Sequence, residues 1–264
     1  MKKKNIGKCK LCGEVKKLVE SHIIPAFFDS YMMPDRYMFR FKVEEREKPF
    51  PLQKGYTSKN ILCGSCDNNS ISNYEKVLST FYRNYFGNRL FSKASFTNGS
   101  FIEYLFNQDY HNIKLCLISI LWRAHISNNP FYDNIAIPVY EAFLHKLLKN
   151  NSSESGNQFR FIFWGLTIQN FISPISINGV KILQVTLKPM HLKSENDNYC
   201  CFIIAGVIIL IELEYNHESK IFENAITPIN PWRILFMNPA DSNMFLSTIY
   251  KKDFFRTISS GAIK

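Results

Sequence analysis

An α+β fold is predicted, with a cysteine-stapled N-terminal module, a helical middle and a β-rich C-terminal part. Three observations predict it. Two Cys-x-x-Cys pairs, Cys9/Cys12 and Cys63/Cys66, lie in the first quarter of the chain. Apolar residues then recur at helical spacing from Ile71 to Leu148. From Phe159 onward, β-branched and aromatic runs alternate with Gly, Pro and Asn breaks. The expected boundaries are 1–90 for the cysteine module, 91–150 for the helical segment and 151–264 for a β-rich domain of unknown role.

With 46% hydrophobic and 20% charged residues, the composition is that of a folded globular protein. The net charge is +10, and its placement is informative. Residues 1–66 hold 14 Lys or Arg against 7 Asp or Glu, whereas residues 67–264 hold 18 against 15. The basic excess thus coincides with the Cys/His segment, which suits a polyanionic partner such as double-stranded DNA. Lys2, Lys3 and Lys4 are equally consistent with a solubilising tail. No apolar stretch of signal-peptide length follows the N-terminus, so a reducing cytoplasm and metal thiolates are expected rather than disulfides. The apolar run Tyr199 to Ile211 is 13 residues, short of the roughly 20 that span a bilayer. It reads as a buried strand or strand pair, and no membrane association is expected.

Taken in order, residues 5–20 should form a first knuckle, with Gly7 and Gly13 supplying tight-turn geometry. Val19 to Pro25 reads as a short strand ended by its proline, which carries His22. Residues 26–59 form a long insertion, a length that is usually functional. Within it Arg36, Arg40 and Lys42 interleave with Tyr37, Phe39 and Phe41, as a strand along a phosphate backbone would; an ordinary amphipathic strand fits equally. After the second knuckle, Asp67, Ser70 or Ser72 can cap a helix built on Ile71, Tyr74, Val77, Leu78, Phe81 and Tyr82, with Gly87 and Asn88 as its stop. A second helix uses Ile113, Leu117, Ile120, Leu121 and Ala124. A third opens at Pro138 with Val139, Phe143, Leu147 and Leu148 inward. Strand runs are expected at Phe159–Ile168, Val180–Leu187 and Tyr199–Leu213. Cys116, Cys200 and Cys201 have no site-like spacing and read as core; Trp122 and Arg123 could contact substrate, but a Trp beside an apolar helix face favours packing.

Each Cys-x-x-Cys turn points two sulfurs at one ion, so Cys9, Cys12, Cys63 and Cys66 are expected to close a structural Zn2+ site. Phosphodiester hydrolysis needs a base for water and a cation for developing charge. His22, with an ordinary pKa of about 6.5, can be that base, and Asp67 can offer a carboxylate to Mg2+ or Mn2+. The alternatives are a zinc-ligating or buried structural role for His22 and a helix N-cap for Asp67.

Together, Cys-x-x-Cys, Ser21-His22-Ile23-Ile24-Pro25, Cys-x-x-Cys-Asp67 and a downstream Glu75 resemble the HNH (ββα-metal) endonuclease superfamily. Within it the order is similar to the zinc-stapled branch that includes phage junction-resolving endonucleases. The resemblance spans residues 9–80, under a third of the chain. It implies a ββα-metal domain in which His22 is the general base and Asp67 a metal ligand, with the four cysteines holding structural zinc. The residue before the base is commonly Asp, Glu or His and binds metal, whereas Ser21 stands there. Either Glu20 or Glu75 substitutes, water fills the place, or activity is lost. The rest of the chain resembles long-form HNH-like proteins of bacteria, some of them suspected components of phage defence.

The expected function is therefore a hydrolase: a metal-dependent endonuclease acting on DNA, with a further protein partner or self-association left open. The alternatives are an RNase using the same site and a non-catalytic zinc module that binds nucleic acid or protein.

Overall fold

Local turns build the N-terminal unit before any long-range packing does. Gly13 adopts φ +79°, which lets the chain reverse between β1 (Ile6–Lys8) and β2 (Val15–Lys17), an antiparallel pair. Gly7 is not a turn residue: it lies in β1, where a Cβ would stand 2.8 Å from Leu18 Cδ1, so close approach is what requires it. The structure is a computed structural model that describes residues 5–32, 38–40, 50–52, 56–87, 101–156, 158–166, 176–177, 180–181, 186–228 and 231–237.

The strand expected over Val19 to Pro25 is only β3 (Ser21–His22), because Ile23 and Ile24 turn inward, both buried, and Pro25 leads into a 3-10 turn and the short α1 (Asp29–Met32). Of the insertion, β4 (Met38–Arg40) pairs antiparallel with β5 (Phe50–Leu52). Lys2, Lys3, Lys4, Arg36, Tyr37, Phe41, Lys42 and Asn88 lie outside the described residues. Next, β6 (Thr57–Ser58) pairs antiparallel with β3, and a helix follows at once. That helix starts as a wide π-helical stretch, Cys66–Ile71, continues as α2 (Ser72–Tyr82) and ends in a second π-helical stretch, Arg83–Gly87. Asp67 is therefore inside the first turn and is not its cap: its own N–H donates to the Cys63 carbonyl at 3.0 Å.

Strand β7 (Phe101–Leu105) falls in the stretch expected to be helical; its partner is more than a hundred residues away. Then come α3 (Tyr110–His125), capped by Asp109, and α4 (Pro138–Lys149), which has Pro138 in its first turn as expected. In α4 the buried residues are Leu144, Leu147 and Leu148, while Val139 is 83% exposed rather than inward, and its neighbour Tyr140 packs on the core instead.

The C-terminal part supplies β8 (Phe161–Leu166), a short pair β9 (Ser176–Ile177) and β10 (Val180–Lys181), then β11 (Thr186–Lys193), β12 (Asn198–Ile204), β13 (Val207–Glu212) and β14 (Trp232–Met237). The apolar run 199–211 is a strand pair, turned at Ala205 and Gly206 with both φ angles positive, as a tight hairpin requires. Six strands form one mixed sheet in the order β11-β12-β13-β8-β14-β7, with β14 parallel to β8. Its alternating residues feed two cores. Phe161, Phe163, Phe202, Trp232 and Phe236 face the helices, and Ile162, Cys201, Ile203, Leu210 and Phe222 pack on the other side. Burial on both faces explains why β12 and β13 are apolar throughout.

The helices lie on this sheet: Phe81 of α2 meets Phe163 at 5.1 Å and Trp232 at 5.7 Å between ring centroids, and Tyr82 donates to the Ala205 carbonyl. One hydrophobic cluster thereby runs from Cys9 to Phe236. Among the described residues no helix is long and apolar enough to cross a membrane.

The tightest point of the sheet is Gly165, where an added Cβ would stand 2.3 Å from the Phe236 ring. That ring is fully buried against Phe86, so it cannot move aside without disturbing α2. Gly165→Ala should lower stability by about 1–3 kcal/mol through overpacking, measured as an earlier urea midpoint.

Candidate functional site

Four cysteines converge where the two knuckles meet. The β1–β2 turn brings Cys9 and Cys12, the bridge between Leu18 and Cys63 brings the third, and the first π-helical turn brings Cys66. Their ligand atoms all lie within 4.8 Å of one another, and Cys12 Sγ to Cys63 Sγ is 4.0 Å. A tetrahedral zinc with bonds of about 2.3 Å needs sulfurs roughly 3.8 Å apart, so the set fits one ion with only small movement. The thiols are supported as ligands: the Cys63 N–H donates to Cys9 Sγ at 3.3 Å, and Ser65 Oγ lies 3.1 Å from Cys63 Sγ. Burial pushes the Cys63 thiol up, but bonds from Ser65 and Cys66 outweigh it and hold that thiol at about 6. Burial and the bond to Cys63 push Cys66 upward. Loading a metal must therefore expel protons from the cluster. Cys116, Cys200 and Cys201 are buried away from it in the core.

Beside the cluster, the two residues of β3 take different partners. Ser21 is fully buried, and its hydroxyl donates to Asp67 Oδ1. His22 points outward enough to keep 34% of its side chain exposed, with Nε2 3.9 Å from Asp29 Oδ2. That separation is too long for a hydrogen bond. Glu20 is occupied on the same ribbon, accepting from the Thr57 hydroxyl at 2.7 Å.

Arg123 of α3 ties this ribbon to the helix. It is 1% exposed; Nη1 donates to the His22 carbonyl and Nη2 to Glu75 Oε1 at 2.8 Å, while Nε reaches the Ser119 carbonyl. Glu75 is thus held as the partner of a buried guanidinium, one helical face away from Asp67. Trp122, next to Arg123, is buried near His145 and packs as expected.

The structure therefore brings Ser21 onto Asp67, directly after the fourth cysteine, and sets the neighbouring His22 beside Asp29. Two neighbours, Asp29 and the anchoring role of Arg123, were not read from the sequence. A basic residue three positions after Ile120 on an apolar helix face was a usable signal for Arg123, because such a charge is retained only when paired. Asp29 had none, since a carboxylate seven residues beyond a histidine implies nothing about contact.

Comparison with family models, with curated proteins and with solved structures gives no match.

Purified protein should carry one zinc per chain by elemental analysis, and Cys12→Ala should abolish it. Zinc affinity should fall as pH falls, because the thiols regain their protons. Arg123→Met should cost on the order of 3 kcal/mol in denaturant unfolding, since it strands the Glu75 carboxylate. Adding Glu75→Gln to that variant should restore part of the loss.

Proposed function

We propose that the chain is a metal-dependent endonuclease of the HNH (ββα-metal) kind that hydrolyses DNA phosphodiester bonds. The observation that carries this reading is the contact between β3 and the start of α2. The half-buried His22 follows a buried Ser21 that is hydrogen-bonded to the carboxylate directly after the fourth cysteine. Strand, antiparallel strand and helix occur in the order β3, β6, α2, fixed by the thiol cluster at one end.

Asp67 and the Ser21 hydroxyl would hold Mg2+ or Mn2+, and their oxygen-only donor set fits a hard cation. Among the described residues the four cysteines are the only cluster of three or more His, Cys, Asp or Glu placed to share an ion. The catalytic cation would thus draw most of its ligands from water and phosphate oxygens, as Mg2+ commonly does. When bound, that ion supplies charge stabilisation at the scissile phosphate and leaving 3′ oxygen. His22 takes the proton from the attacking water. Asp29 faces the Nε2 edge of its ring and leaves Nδ1 for that water. Arg123 fixes the backbone of His22 and keeps Glu75 out of the ligand set. The product would carry a 5′ phosphate, and a role in phage defence accords with such an activity.

Ser21 favours one second reading, a zinc module that binds nucleic acid or protein without cutting. It places a hydroxyl donor, rather than a second carboxylate, against Asp67.

Asp67→Asn should reduce Mg2+-stimulated nicking by roughly 100-fold or more while the protein keeps its zinc. End-labelling of the product should reveal 5′ phosphate. Unchanged nicking by Asp67→Asn would remove that residue from the site, and cleavage of RNA alone would move the substrate class.

A further inference from the structure

Around the first knuckle's thiols lies a concentration of lysines that the catalytic reading does not use. A concavity of about 370 Å³ lies there, lined by Lys8, Lys10, Gly13 and the two cysteines of the first knuckle together with His145 and Lys149 of α4. No carboxylate lines it. The two walls are 135 residues apart in sequence but are fixed to each other, since His145 Nε2 donates to the Leu11 carbonyl at 2.9 Å. Lys8, Lys10 and Lys149 are all exposed, so their ammonium groups reach solvent.

The charge balance decides what this surface attracts. Residues 5–17 and 145–149 hold six lysines, namely Lys8, Lys10, Lys16, Lys17, Lys146 and Lys149, against the single carboxylate Glu14. Glu14 is already paired with Lys16. A zinc bound by four thiolates carries two negative charges, which leaves a local surplus of about three positive ones. Neutralising the cluster therefore does not consume the lysines. Flexible ammonium groups around an open concavity suit repeated, sequence-independent phosphates better than one small carboxylate.

We infer that the first knuckle and the C-terminal turn of α4 form a phosphate-backbone clamp for duplex DNA, separate from the His22–Asp67 site. It rests on the nuclease reading only for the identity of the nucleic acid. The knuckle then does two things: its sulfurs staple the fold and its lysines hold the strand. The helical segment, through Lys149, becomes part of the substrate interface.

The test uses the full chain with Lys8→Gln, Lys10→Gln and Lys149→Gln combined, loaded with zinc and compared with the unaltered protein. Fluorescence anisotropy with a labelled duplex is measured over a series of KCl concentrations. The slope of log Kd against log salt should decrease in magnitude by about two to three, near 0.9 per lost phosphate contact. In cleavage assays KM should rise while kcat stays in place. An unaltered Kd and salt slope would overturn the clamp. So would a variant whose only defect is weaker zinc retention, which would mean that the lysines merely balance the thiolates. His22→Ala separates this proposal from the nuclease reading, because it should stop cleavage and leave the Kd and its salt slope intact. If the unaltered protein binds with a lysine-dependent slope yet never cuts, the clamp stands and the nuclease reading falls.

Discussion

A single guanidinium holds the candidate site in register. Arg123 is removed from water at the centre of the structure and donates to a carbonyl on β3 and a carboxylate on α2. Those two elements belong to the cysteine module, whereas Arg123 arrives on a helix from the middle of the chain. A buried charge of this kind is costly unless every donor finds an acceptor, so its partners cannot drift without a large energetic loss. The ribbon carrying His22 and the helix carrying Asp67 are thereby locked together from behind. The four converging cysteines sit at the other end of that helix.

These two constraints divide the labour. The four thiols, placed to share one ion, would supply local folding energy to a small unit when a metal is bound. The sheet supplies the long-range part: α2 rests on β8 and β14 through Phe81, and its Tyr82 reaches the hairpin turn at Ala205. A module stapled by sulfur alone would leave the apolar face of α2 exposed. Here that face is the centre of a continuous core, which is why the cysteine segment and the β-rich end are energetically coupled.

Legibility followed the range of the interaction. The four cysteines could be read because a metal site needs short, fixed spacings that are written locally. The hairpin at Ala205 and Gly206 could be read in part, since a long apolar run broken by glycine implies a reversal inside a buried layer. Strand β7 could not: it is an edge strand whose partner β14 lies far along the chain, and Ile102 and Tyr104 stay largely exposed. Val139 shows the same limit at smaller scale, because helical spacing gives a face but not where neighbouring packing ends. In the site, Ser21, His22 and Asp67 were legible as members of a motif, while the Ser21–Asp67 bond, Asp29 and the carbonyl held by Arg123 depend on tertiary contact alone.

The account turns on whether half-buried His22, one residue beyond the Ser21 that holds Asp67, is a working base. The most direct measurement is conversion of supercoiled plasmid to nicked circles by zinc-loaded protein, with and without Mg2+ or Mn2+, beside His22→Ala. Nicking that requires both the added cation and His22 is the predicted result. Plasmid that is bound but stays supercoiled under every cation, or that His22→Ala nicks equally well, would contradict it.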